Sequence, residues 1–120
     1  MKPIHYHDRR FRAIHTAENG EVRGDTLFHY RQQGETVWGT YEGGGIRLGT
    51  LIATVGDAGH LDMRYAHVNA DGDLRTGTCQ STPEVLSDGR IRLHERWQWT
   101  SGDHSSGESI VEEVRLERYN

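Results

Sequence analysis

The sequence predicts an all-β chain, a single antiparallel eight-stranded up-and-down β-barrel of calycin-like form. Three observations carry this. Short runs rich in Thr, Val, Ile, Tyr and Trp recur along the chain, separated by turn signals: NG at 19, QG at 33, GGG at 43, DAG at 57, DG at 71, DG at 88 and SGD at 101. Within the runs, apolar and polar residues alternate with the period of two that sends successive side chains to opposite faces of a strand. A chain of 120 residues suits one such meander, and closing it on itself removes its exposed edges.

The elements follow in order. Residues 1–8 read as an N-terminal arm, which leaves 9–120 as the barrel domain. Strand one, about residues 9–16, precedes the Asn19–Gly20 turn. Strand two, about 25–33, sets Phe28, Tyr30 and Gln32 on one face against Leu27, His29 and Arg31. Strands three (about 36–42) and four (about 45–55) flank Gly43, Gly44 and Gly45, which suit a tight hairpin because glycine takes positive φ freely. Gly49, inside strand four, marks a bulge or a close approach. Strand five, about 60–69, turns Leu61, Met63, Tyr65, His67 and Asn69 inward, with Asp62 and Arg64 making a cross-strand ion pair outside. Strand six, about 73–82, carries Cys79 in phase with Gly77 and Ser81, facing in near His67. In strand seven, about 90–100, Ile91, Leu93, Glu95, Trp97 and Trp99 oppose the wholly polar set Arg92, His94, Arg96 and Gln98. Strand eight, about 106–118, places Glu112 in phase with inward Ile110, Val114 and Leu116, while Glu113 and Arg115 face outward.

Composition narrows the functions. Net charge is -4 and the basic residues are scattered, so the chain lacks the electrostatic footprint of a nucleic-acid binder. No apolar run reaches membrane length and the N-terminal residues lack a secretory h-region, so a soluble cytoplasmic protein is expected. The lone Cys79 forms no internal disulfide, in keeping with a reducing compartment. A hydrophobic content of 33% and a mean hydropathy of -0.80 imply a small core and a wet exterior.

The inward faces decide function, because an eight-stranded barrel is just wide enough to be filled by side chains or to hold one small ligand. A buried carboxylate must be paired, protonated or hydrated, so an inward Glu95 implies a polar pocket. Tyr30, Tyr41, Met63, Asn69, Cys79, Trp97, Trp99 and Glu112 are the expected binding residues, and Glu95, Tyr65 and His67 the expected catalytic ones. The leading reading is a small cofactor-independent acid-base enzyme acting on an apolar carbonyl compound by dehydration, isomerisation or conjugate-addition cyclisation, as in natural-product biosynthesis. Glu95 would take a proton while Tyr65 or His67 stabilised an enolate or donated to a leaving hydroxyl. The alternative is a non-catalytic small-molecule binding or carrier barrel, and a third reading is a structural homodimer around a plugged barrel. The expected partner is a hydrophobic small molecule, with no nucleic acid and no membrane.

Other motifs weigh less. His5 and His7 share one side of an extended segment with His15 nearby, but a metal site needs three or four ligands, so a solvated arm is preferred and no metal or cofactor is expected. The triple glycine joins two strands, whereas nucleotide loops open a helix. Cys79 would need an activating base to act as a nucleophile, and a small core residue is the better reading.

The segments TAENGEV, TLFHYRQQG, GTLIATVGDAGHLDMRYAHVNADGDL, STPE and DGRIRLHERWQWTSGD, spanning about residues 9–113, resemble a family of short bacterial proteins often labelled N-acetylglutamate synthase. The acetyltransferases that such a label implies hold coenzyme A pyrophosphate on an Arg/Gln-x-x-Gly-x-Gly/Ala turn opening a helix. The nearest string here, RQQGET from Arg31 to Thr36, ends in Thr and runs into a strand, so a transferase activity is not expected. VWGTYE at 37–42 and RWQWTSGD at 96–103 also look like strand fragments of avidin-type barrels. That resemblance implies a barrel whose ligand pocket is lined by Trp, Tyr, Ser and Thr.

Overall fold

Eight antiparallel strands close into a barrel in strict sequence order, with the last pairing the first. The computed structural model describes residues 4–114. The strands are β1 (Arg9–His15), β2 (Leu27–Gln33), β3 (Thr36–Gly43), β4 (Ile46–Val55), β5 (Leu61–Asn69), β6 (Leu74–Val85), β7 (Ile91–Trp99) and β8 (Ser106–Glu113). The up-and-down barrel read from turn spacing is therefore the observed fold. No described helix is long and apolar enough to cross a membrane.

Pairing explains the few departures from the expected strands. β6 runs on through Pro83 to Val85, beyond Ser81, its last residue paired with β5, so the missing proline N–H breaks no bond on that side. β8 ends at Glu113, and the part expected beyond it, with Arg115 and Leu116, lies outside the described residues. At the β3–β4 hairpin, Gly43 and Gly44 take φ of 104° and 65°, which only glycine adopts without strain. Gly49 sits beside a bulge between Ile46 and Leu48 and packs under the Tyr41 ring, so its close approach is to a side chain of the barrel itself.

The two ends of the barrel differ. One is packed shut by Phe11, Leu61, Ile91, Leu93 and Val111, all essentially inaccessible. Tyr6 completes this plug. It belongs to the segment expected to be an arm, yet it is fully buried, its hydroxyl donating to the Gly59 carbonyl and its N–H to Gln32 Oε1. Burying so large a ring stabilises the closed end through its apolar area while the hydroxyl keeps a partner. The opposite end gathers the β1–β2 loop and the β3–β4, β5–β6 and β7–β8 turns, and there the interior is hollow.

Candidate functional site

The hollow is a cavity of about 60 Å3 that opens at its mouth to solvent. Its walls come from alternate residues of β2, β3 and β5 to β7: Phe28, Tyr30, Tyr41, Met63, Tyr65, Cys79, Trp97 and Trp99. The rings interlock, with Phe28 stacked on Tyr41 at 5.0 Å and Trp97 tilted against Trp99 at 5.6 Å between centroids. The barrel thus surrounds the space with flat apolar surface, as small-molecule pockets do.

Glu95 lies deeper, below the tryptophans. It is 9% exposed and receives hydrogen bonds from Ser81 and Ser109, each at 3.2 Å, from the strands on either side. Strand pairing dictates this arrangement, because Glu95 is directly opposite both serines. Burial raises the carboxyl to about 7, and the hydroxyl bonds only partly oppose it. Tyr30 shares this part of the cavity. Its hydroxyl is buried and has no hydrogen-bond partner among the described residues, and burial, with the Glu95 charge second, holds the phenol protonated.

A second polar group sits at the mouth. Glu21, on the loop between β1 and β2, reaches His67 Nε2 at 2.7 Å and Asn69 Nδ2 at 2.8 Å, with Arg75 at 3.4 Å. Burial pushes His67 below its ordinary value despite the opposing pull of Glu21, so the imidazole is neutral at pH 7. A carboxylate only accepts, so Nε2 carries the hydrogen and Nδ1 accepts from the Tyr41 hydroxyl at 2.9 Å. Burial alone would raise Glu21, but the hydrogen bonds from His67 and Asn69, with the Arg75 charge, hold it below the usual carboxylate range. Trp99 Nε1 donates to the Asn19 carbonyl, and Arg75 stacks over the Trp99 ring at 4.1 Å. These contacts seat the loop across one side of the mouth, where Thr16, Ala17, Gly20 and Val22 join the lining.

The structure brings Glu95, Tyr65 and His67 to one cavity but not into one hydrogen-bonded group. Glu95 is held by the serines, His67 has both nitrogens engaged by Tyr41 and Glu21, and Tyr65 stacks against His67 at 6.4 Å. Asn69 is buried at the rim and ties down Glu21 and the β5–β6 turn. Cys79 faces in, but its register partner is Met63, so it lies near Ser81 and Glu95 instead of beside His67. Burial raises its thiol well above the ordinary value, which suits the inert core residue.

Glu112 does not face in. Its strand neighbours Ser109 and Val111 take the interior, because antiparallel partners share a face and Glu95 and Leu93 stand opposite them. Glu112 instead meets Arg90 at 3.3 Å and Arg92 at 3.4 Å on the outer surface. Glu113, expected outside, shares the phase of Val111 and pairs with Arg9. Asp62 and Arg64 do pair outside, at 2.7 Å, but along one strand. Sequence reasoning missed Glu21, because no periodicity fixes a loop residue. His5, His7 and His15 are exposed, and among the described residues no group of three or more His, Cys, Asp or Glu could hold a metal.

A family model described as Avidin-like protein matches residues 4–114. No curated protein matches the chain.

Proposed function

The chain belongs to the avidin-like family, and from this premise we propose that its barrel is a receptor for one small, largely apolar molecule entering between the β1–β2 loop and the tryptophans. The observation that carries the reading is the half-hollow interior: one end is packed solid, while the other leaves an aromatic-walled space over a buried carboxyl. A barrel built only for stability would fill this space, since each void forfeits packing and Glu95 costs free energy to bury. Family membership supports binding over chemistry, since such barrels generally bind small molecules.

The test is a screen of ring-bearing compounds against the full chain by intrinsic fluorescence, with Trp97 and Trp99 as reporters, together with native mass spectrometry of freshly purified protein. A saturable signal at one molecule per chain, lost in Trp97→Ala, is the expected result. Absence of any saturable ligand across neutral, cationic and anionic classes would overturn the reading.

Acid-base catalysis on an apolar carbonyl compound is a second reading, favoured by one observation: Glu95 is buried in the wall of the cavity, and that burial raises its carboxyl to about 7, where a general base is most effective. Its signature is turnover that Glu95→Gln abolishes while ligand affinity is retained.

A further inference from the structure

The charges inside the pocket are one-sided. Two carboxylates reach it, Glu95 at depth and Glu21 at the mouth. The mouth carboxylate is matched by His67, Asn69 and Arg75. The deep one has two serine hydroxyls and the Cys79 thiol, all uncharged, and no basic side chain among the described residues pairs with it. His67, the one basic residue of the lining among the described residues, is neutral and has both nitrogens engaged. The faces of the surrounding aromatic rings carry negative potential that attracts cations. The Tyr30 hydroxyl, without a hydrogen-bond partner among the described residues, offers one more oxygen in the same space.

We propose that the pocket selects a protonated organic amine, its apolar body between the aromatic walls and its ammonium donating to Glu95 and to the Tyr30 hydroxyl. The proposal rests on the receptor reading above and adds the chemical class of the ligand. An ammonium supplies the counter-charge that Glu95 lacks and has three hydrogens to donate. A carboxylate ligand would set a second negative charge beside the first. A neutral ligand would leave Glu95 without a counter-ion.

The experiment compares three shape-matched molecules on the full chain by calorimetry from pH 6 to 8: 2-phenylethylamine, 2-phenylethanol and 3-phenylpropionate. The amine should bind most tightly, and its affinity should rise roughly tenfold from pH 6 to 8 as Glu95, at about 7, loses its proton. The alcohol should show no rise and the acid should bind most weakly. The other titratable groups facing Glu95 are Tyr30 from β2, Tyr41 from β3, Tyr65 from β5 and Cys79 from β6; burial keeps all four protonated across this range, so they contribute no slope. His67, already below its ordinary value, titrates toward the acid end, and the alcohol series measures its effect.

Glu95→Gln should weaken the amine at least tenfold at pH 8 and leave the alcohol within about twofold. Should that variant not fold, Ser109→Ala removes one hydrogen bond from the carboxylate and should move the midpoint of the amine's pH dependence upward. An alcohol that binds as tightly as the amine at pH 8, an amine affinity flat or falling with pH, or binding by none of the three would overturn the amine proposal. The receptor reading then stands or falls by its own screen.

Discussion

Glu95→Gln should stabilise the unliganded protein, and only above the pH at which an exposed glutamate ionises. Burial raises the Glu95 carboxyl from 4.5 to about 7. The folded chain therefore holds a proton that the unfolded chain has released between those values, and stability falls as pH rises across that window. The cost is fully absent below 4.5 and fully present above 7. At roughly 1.4 kcal/mol per pKa unit, it amounts to about 3 kcal/mol at pH 8. Glutamine resembles the protonated carboxyl and carries no charge, so the variant escapes this cost. Thermal unfolding followed by circular dichroism should show a gain of roughly 10 °C for the variant at pH 8, shrinking toward zero at pH 4. An offset that is the same at both values, or a loss at pH 8, would refute the reasoning, because either requires a Glu95 that ionises normally in the folded state.

Three further outcomes follow from the packing. Glu21→Gln should speed amide exchange in residues 16–26 and cost about 1–3 kcal/mol at pH 7; because the folded carboxyl is held below 4.5, the difference from the parent should vanish as pH falls through that lower value. Gly49→Ala places a methyl group on the Tyr41 ring, so the Tyr41–His67 bond should break at a cost of about 1–3 kcal/mol, read from denaturant unfolding and the Tyr41 ring resonances. Tyr6→Ala should open a cavity at the closed end and cost about 3–5 kcal/mol in the same unfolding measurement, whereas ligand affinity at the other end should change little.

Legibility in the sequence tracked how strongly each strand distinguishes its faces. In β7 the outward set is wholly polar, so Glu95, Trp97 and Trp99 could be placed inside from alternation alone. β5 likewise separates Met63, Tyr65 and His67 from Asp62 and Arg64. β8 carries apolar residues in both phases, Ile110 in one and Val111 in the other, and only pairing with β7 decides between them. That is why Glu112 could be misplaced: the deciding partner is on another strand. Glu21 lies on a loop, where side-chain direction has no period, although inward His67 and Asn69 near one barrel end already required polar partners from somewhere. Tyr6 had a local signal as well, an aromatic ring between two exposed histidines, but its burial depends on reaching Gly59 across the closed end.

The most direct measurement is a carbon-13 titration of the Glu95 side-chain carboxyl, in the free protein and with saturating 2-phenylethylamine. A midpoint at about 7 that falls when the amine is added is the expected result, since a cation seated beside the carboxylate favours its charged form. A midpoint at the ordinary 4.5, unmoved by the amine, would contradict both the buried setting of Glu95 and its role in binding.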